Sequence, residues 1–77
     1  MITAAQSRMA RAGLGWTVRE LAARADVAAA TVNRFEMGRA SPNRPTLTAI
    51  ARALEGAGVE FLDGDGVRVR QSAEAAS

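Results

Sequence analysis

The stretch TVRELAARADVAAATVNRFEMG, residues 17–38, contains two short runs of helical periodicity separated by a break. The first run has a strong start signal, because Thr17 and Glu20 have the spacing of a capping box. Trp16 before the box and Leu21 after it can also pack together as a hydrophobic staple. We therefore predict a well-defined helix after Thr17, with the rest of the chain supporting this stretch.

The second helix of the stretch has a weaker start. It is predicted over residues 29–36, after a turn at Asp26, with Val32 and Phe35 facing the core. Ala28 occupies its N-cap position and has no side-chain oxygen, which costs about 1 kcal/mol relative to Ser or Thr. We expect packing, rather than a cap, to hold this helix.

The segments on either side are also mainly helical. A capping box at Thr3 and Gln6 predicts a first helix, which Gly13 and Gly15 end. Three apolar residues in this helix have the spacing of a core-facing stripe: Ala5, Met9 and Ala12. Asn43 is the predicted cap of a last helix, in which the core-facing residues are Leu47, Ile50, Ala51 and Leu54.

The segment VEFLDGDGVRVR, residues 59–70, alternates apolar and polar residues on both sides of a Gly-rich turn, which predicts a β-hairpin. Glu60 would lie opposite Arg68 or Arg70. These signals predict a mainly α fold of about four helices with a short C-terminal hairpin. We assign the helices to residues 1–58, the hairpin to residues 59–70 and a disordered tail to residues 71–77.

Composition excludes several kinds of site. The 77 residues include neither Cys nor His, so the usual zinc ligands, thiol chemistry and the commonest general base are missing. The segment Asp63-Gly-Asp-Gly66 lacks the later ligands of a calcium loop, and no residue pattern indicates catalysis. No apolar run approaches the roughly 20 residues of a membrane span. We expect a cytoplasmic protein that is not an enzyme and uses no metal, cofactor or small-molecule effector.

Charge is distributed unevenly along the chain. All ten basic residues are Arg, and the net charge is +2. Residues 1–44 hold seven arginines and three acidic residues, a net +4, whereas residues 45–77 hold three arginines and five acidic residues, a net −2. A basic front half suits a protein that presents one face to a polyanion, although ordinary solvated charges would also explain it.

The spacing of these residues resembles the Cro/cI-type (Xre-like) helix-turn-helix family of phage and bacterial regulators. The resemblance covers about residues 3–57 and has the frame T-x-x-E-L-A followed by V-x-x-x-T-V-x-x-x-E-x-G. It implies a lambda-repressor-like DNA-binding domain that acts as a dimer on a two-fold operator. The residues that carry it are Leu14 to Thr17, Glu20 to Ala22, Val27, Thr31, Val32, Arg34 to Glu36, Gly38 and Pro42.

The resemblance also implies roles for particular residues. The start of the second helix of the motif would read base edges in the major groove, through Ala29, Ala30, Asn33 and Arg34. Phosphate contacts would come from the start of the first helix of the motif and from the loop after the second, through Thr17, Val18, Arg19, Arg39, Ser41, Asn43 and Arg44. Val18 departs from the family, since most relatives have Gln there.

Two further groups have structural roles in this interpretation. Arg11 and Glu36 align with positions that form a buried ion pair in some relatives, and we expect this pair to set the geometry of the reading helix. A two-stranded hairpin is marginal alone, so we expect it to pair edge to edge with a second copy or to pack on it. The residues of its apolar face, and of this candidate dimer interface, are Val59, Phe61, Val67 and Val69.

We interpret the chain as a sequence-specific DNA-binding transcriptional regulator, a repressor that binds a palindromic double-stranded operator as a homodimer. The alternative is a helix-turn-helix fold that binds a protein, as an antiactivator or antitoxin-like partner, without reading DNA. The apolar residues at 28–30 and Val18 favour this alternative. Four residues favour DNA binding, because a protein-binding surface has no special need to keep this set basic: Asn33, Arg34, Arg39 and Arg44.

Overall fold

The computed structural model of the chain describes residues 2–70, so the expected disordered tail at residues 71–77 lies outside the described residues. Four helices are followed by a two-stranded antiparallel hairpin, which confirms the predicted mainly α fold. The elements are α1 (Ala4–Leu14), α2 (Val18–Ala25), α3 (Ala29–Glu36), α4 (Arg44–Gly56), β1 (Val59–Phe61) and β2 (Val67–Val69). None of these helices has the length and apolar character needed to cross a bilayer.

Side chains at the helix starts satisfy backbone N–H groups that have no partner inside the helix. At α1, the Thr3 hydroxyl accepts from the Gln6 N–H, and the Gln6 side chain accepts from the Thr3 N–H, so the predicted capping box is complete. At α4, the Asn43 side chain accepts from the Thr46 N–H at 3.0 Å. Ala28 makes no side-chain cap bond to α3, as predicted.

The second predicted capping box forms only one of its two hydrogen bonds. The Thr17 hydroxyl accepts from the Glu20 N–H at 3.0 Å, so the cap itself is present. The Glu20 carboxylate, however, accepts from the Arg24 guanidinium at 2.6 Å instead of returning to the helix start. Arg24 lies one turn further along α2, where an ion pair competes with the reciprocal bond of the box. The α2 helix therefore begins where predicted, with one capping bond.

The core lies between the helices and the inner face of the hairpin. Its buried apolar residues are Ile2, Ala10, Leu21, Ala22, Val32, Phe35, Ile50, Leu54 and Val59. The stripe predicted for α1 is wrong, because Met9 is 41% exposed and Ala12 is also exposed. The buried residues of α1 are instead Gln6, Ser7 and Ala10. Two of them are polar, so a search for apolar periodicity could not find this face.

The hairpin packs against the helices through the apolar face that the sequence predicted. Val59 is part of the core, and the other three residues of that face pack against it: Phe61, Val67 and Val69. Glu60 pairs with Arg68, with Arg68 Nη1 and Glu60 Oε1 3.2 Å apart, which decides between the two registers considered. The face is thus covered by the chain's own helices, and dimerisation through these four residues stays a prediction.

Polar contacts also hold the hairpin turn against the start of α1. The Gln6 side-chain amide donates to the carbonyl groups of Leu62 and Gly66 at 3.1 and 3.0 Å. The Thr3 hydroxyl donates to the Asp65 carboxylate at 2.9 Å. Because Gln6 is only 3% exposed, its bonds to the turn form in a partly dry environment where an unmade bond would be costly. They fix the position of the hairpin relative to α1.

Candidate nucleic-acid interface

The outer face of α3 is exposed and polar at its centre. Ala30, Asn33, Arg34 and Met37 follow one another at helical spacing, and all four are exposed. Neither the Asn33 nor the Arg34 side chain makes a hydrogen bond to another described residue. The opposite face of α3 is buried through Val32, Phe35 and Glu36. The helix therefore offers an amide and a guanidinium to a ligand outside the domain.

Ala29 differs from the other three residues predicted to read bases. It is half-buried and packs against the core, because it lies at the start of α3 beside the turn from α2. Its methyl group is already partly used in packing. Ala30, Asn33 and Arg34 are the predicted base-reading residues that the structure leaves exposed on one face.

The end of α3 is attached to α1 through the Glu36 carboxylate. Glu36 is 4% exposed, and its carboxylate accepts from Arg11 Nε at 3.0 Å and from Arg11 Nη2 at 2.8 Å. Arg11 Nη1 also donates to the Trp16 carbonyl at 2.9 Å. The two residues that the sequence analysis paired are therefore in contact, with a forked geometry that restricts the relative rotation of the helices.

Two more residues of α1 contact the end of α3, and sequence reasoning missed both. The buried Ser7 hydroxyl donates to the Glu36 carboxylate at 2.6 Å. The Arg8 guanidinium donates to the main-chain carbonyl of Glu36, a group that no helical N–H can satisfy at a helix C-terminus. Ser7 lies one helical turn before Arg11 on the same side of α1, so the Arg11–Glu36 pair implied by the resemblance could have placed Ser7 beside Glu36. No comparable signal exists for Arg8.

The start of α2 points unpaired backbone N–H groups outward. Thr17 caps the Glu20 N–H, whereas the N–H groups of Val18 and Arg19 have no backbone or side-chain acceptor among the described residues. The Val18 side chain is half-buried against the core. The backbone N–H of Val18 is therefore the group that this residue can offer to a ligand. A helix N-terminus with two such donors suits an anion, and the exposed Arg19 side chain adds a positive charge.

The loop between α3 and α4 is the second predicted phosphate-binding segment. Arg39, Ser41 and Arg44 are exposed, and their side chains make no hydrogen bonds within residues 2–70. Asn43 is exposed too, but its carbonyl oxygen caps α4, which leaves its amide N–H₂ group to donate elsewhere. Every residue of this predicted set is therefore accessible to a ligand.

Ion pairs divide the arginines into two groups. Arg11, Arg24 and Arg68 each pair with a carboxylate of the same chain. Arg24 also lies over the Trp16 ring, 4.5 Å from its centroid, and this stacking helps to hold it on α2. The arginines without a carboxylate partner in the described part of the chain are Arg8, Arg19, Arg34, Arg39, Arg44, Arg52 and Arg70.

Comparison with known proteins agrees with this geometry. A helix-turn-helix family model matches residues 8–61, a range that contains α2, α3, α4 and most of α1. A search of curated proteins finds no match to the chain. The matched family consists of DNA-binding regulators, which are not normally enzymes. The chain belongs to the Cro/cI-type (Xre-like) family of DNA-binding helix-turn-helix regulators.

Proposed function

We propose that the chain is a sequence-specific transcriptional repressor that binds a palindromic DNA operator as a homodimer, with α3 in the major groove. One observation carries this proposal: four arginines that have no carboxylate partner among residues 2–70 lie on α3 and on the two segments predicted to contact phosphates. They are Arg19, Arg34, Arg39 and Arg44. A cation that is not neutralised by its own chain can displace counterions from DNA, which drives the non-specific part of binding.

Base recognition in this proposal rests on two side chains. Asn33 can bond bidentately to the N6 and N7 atoms of adenine, and Arg34 to the O6 and N7 atoms of guanine. Each such contact discriminates against a wrong base by about 1–3 kcal/mol. Ala30 adds a methyl group that can contact thymine. This is a small set of reading contacts for one protomer.

The small reading set supports a dimer on a palindromic site. A second protomer repeats the same contacts in the next half-site, about one helical turn of DNA away. Two copies then double the number of base contacts without any additional reading residue. Repression by blocking access to a promoter requires DNA binding alone, without a separate surface for the transcription machinery.

The proposal is tested by selecting bound duplexes from a randomised DNA pool with the full chain. We expect an enriched palindrome with an adenine and a guanine in each half-site. Arg34→Ala should relax the preference at the guanine, whereas Arg39→Ala should weaken binding to all sequences by a similar factor. Arg24→Ala is the matched control, since Arg24 is already paired, and should change affinity little.

Two results would contradict the proposal. A pool without an enriched sequence would rule out base reading by α3. The absence of any complex at low salt would support the alternative, in which the helix-turn-helix fold binds a protein and does not contact DNA.

A further inference from the structure

Ser41 differs from the other hydroxyl-bearing residues of the described chain. It is exposed, and its hydroxyl makes no hydrogen bond within residues 2–70. The hydroxyls of Thr3, Ser7 and Thr17 each make a hydrogen bond with another residue. The remaining three threonines are half-buried on helices: Thr31, Thr46 and Thr48. Among residues 2–70, Ser41 is therefore the one exposed hydroxyl that is not already engaged.

The backbone around Ser41 is open. Residues 40–43 belong to no helix or strand, and the N–H groups of Ala40 and Ser41 have no backbone acceptor among the described residues. Pro42 follows, and a residue before proline is restricted to extended backbone. An exposed, extended loop can enter the active site of a modifying enzyme, where an acceptor hydroxyl must lie in line with the group it attacks.

Two arginines flank this hydroxyl. Arg39 lies two residues before Ser41 and Arg44 three residues after it, and both are exposed, with no carboxylate partner in the described part of the chain. Residues 39–44 include no acidic residue and have a net charge of +2. This charge complements an enzyme whose substrate groove is acidic. The same two guanidinium groups would pair with a phosphoryl group once it is attached to Ser41.

There is room for such a group beside the serine. Ser41 and Arg39 line a cavity of about 480 Å³, together with Ile2, Thr3 and Ala4 at the start of α1. None of the residues that line this cavity carries a negative charge. A phosphoryl group on Ser41 would thus meet no like charge in the cavity and would lie beside the Arg39 side chain.

We propose that Ser41 is phosphorylated by a protein serine kinase, with a nucleoside triphosphate as donor, and that this modification prevents the chain from binding DNA. The Ser41 Oγ atom forms a bond to the γ-phosphorus, and the bond from that phosphorus to the bridging oxygen breaks. A nucleoside diphosphate leaves, and the hydroxyl proton passes to a carboxylate of the kinase. The effect on DNA binding rests on the proposed function, whereas the acceptor site does not.

The effect follows from the position of Ser41 in a loop predicted to contact phosphates. A phosphoserine carries about −1.5 to −2 charges at neutral pH, which nearly cancels the +2 of residues 39–44. Arg39 and Arg44 would then be paired within the chain, and the added phosphate would repel the DNA backbone. A dimer would lose about four phosphate contacts, so the slope of log K against log salt would become shallower by about 3 to 4.

The effect on DNA binding is tested with the full 77-residue chain made by chemical synthesis, with phosphoserine at position 41. The probe is the duplex that the unmodified chain selects. We expect the affinity of the phosphorylated chain for this duplex to be at least about a hundredfold lower, because charge-assisted contacts are lost in both protomers. Circular dichroism melting establishes that the fold is kept.

Phosphoserine in place of Gly56 is the matched control. It adds the same group at an exposed position where a side chain meets nothing within 4 Å. Because α4 runs from Arg44 to Gly56, this phosphate lies about 18 Å along the helix from the loop, which exceeds the Debye length of about 8 Å at physiological salt. The affinity of the control for the same duplex should stay within about threefold of that of the unmodified chain.

The acceptor is identified by incubating the unmodified chain with radiolabelled ATP in an extract of the cells that make it. We expect one phosphoryl group per chain, and peptide mapping by mass spectrometry should place it on Ser41. Ser41→Ala should abolish the labelling. Thr48→Ala, which removes a half-buried hydroxyl of α4, should leave the labelling unchanged.

The possible outcomes separate this modification from the proposed function. Extracts that leave Ser41 unlabelled, or that label the Ser41→Ala variant equally, would overturn the acceptor site, whereas operator binding could still stand. Equal DNA affinity of the chain with and without phosphate on Ser41, or an equal loss in the Gly56 control, would overturn the effect on DNA binding. A chain labelled on Ser41 that binds no DNA in either form would support the acceptor site and contradict the DNA-binding function.

Discussion

At the scale of single residues, one buried carboxylate connects the reading helix to the rest of the domain. Glu36 accepts hydrogen bonds from Ser7 and from the forked Arg11 guanidinium. Removing one partner of a buried ionic group leaves a charge without full compensation, which costs more than the bond itself is worth. The contacts to Glu36 therefore fix the geometry of α3, and removing any one of them is expected to destabilise the fold.

We predict that Ser7→Ala lowers the free energy of unfolding by about 1–3 kcal/mol, because Glu36 loses a donor in a site where water cannot replace it. Urea denaturation measures the change. Ser41→Ala, at an exposed serine without a side-chain hydrogen bond in the described structure, is the matched control and should stay within about 0.5 kcal/mol of the parent chain. Equal effects of the two changes would show that the Ser7 hydroxyl is not important for stability.

At the scale of elements, the helices differ in how their starts are stabilised. Thr3, Thr17 and Asn43 each cap a helix through a side-chain oxygen. Ala28 has the same extended backbone, with φ −70° and ψ 140°, but makes no cap bond. The helix that is proposed to read DNA is thus the least well capped, and its position depends on Val32, on Phe35 and on the contacts of Glu36.

Ala28→Ser should raise the free energy of unfolding by about 1 kcal/mol, because the serine hydroxyl can accept from an N–H in the first turn of α3. Asn43→Ala, which removes an existing cap, should lower it by a similar amount. Denaturant titration of both variants checks the prediction. If Ala28→Ser leaves the midpoint unchanged, the start of α3 is not free to use a cap.

The contact between α1 and β2 depends on a glycine. A Cβ atom placed on Gly13 would lie 2.6 Å from Val69 Cγ2, whereas one on Gly56 would meet nothing within 4 Å. Gly13→Ala should therefore destabilise the domain by about 1–3 kcal/mol through overpacking, despite the better helix propensity of Ala.

Gly56→Ala is the control, since it changes the same residue type inside a helix without a steric conflict. It should stabilise the chain by up to about 1 kcal/mol. Thermal melting of the two variants checks the prediction: Gly13→Ala should lower the melting temperature and Gly56→Ala should raise it. A stabilising Gly13→Ala would mean that α1 and β2 are not in close contact.

Across the whole molecule, some arginines are paired with a carboxylate of the same chain, and others have no such partner among residues 2–70 and can contact DNA phosphates. Each unpaired arginine that contacts a phosphate releases counterions from the DNA. The slope of DNA affinity against salt concentration therefore rises with the number of such contacts. Removing Arg39 from each protomer of a dimer should reduce the slope of log K against log salt by about 2. Affinity measurements on one fixed duplex over a series of salt concentrations give this slope.

Arg24→Gln is the control for that measurement. Arg24 is exposed like Arg39, but Glu20 and the Trp16 ring already engage it. The Arg24→Gln substitution should therefore leave the slope of log K against log salt nearly unchanged. Equal slopes for the parent chain and the Arg39→Gln variant would contradict a phosphate contact at Arg39.

Local sequence patterns were enough to predict the elements and their order: the capped helix starts, the α3 boundaries and the hairpin. These features depend on residues within a few positions of one another, as in the Thr3–Gln6 box or the Asn43 cap. They are visible in the sequence because the chain must satisfy its backbone groups locally. The roles of Asn33 and Arg34, by contrast, were implied by the resemblance to the family.

Which polar residues are buried, and which charges are already paired, became clear from the folded chain alone. Ser7 meets Glu36 across 29 positions, and Thr3 meets Asp65 across 62, distances over which periodicity carries no information. The burial of Ser7 and Gln6 in place of Met9 and Ala12 depends on such remote acceptors, which are the Glu36 carboxylate for Ser7 and the Leu62 and Gly66 carbonyls for Gln6. Packing gives buried polar groups their hydrogen-bond partners from distant segments of the chain, and a local sequence pattern cannot show where those partners lie.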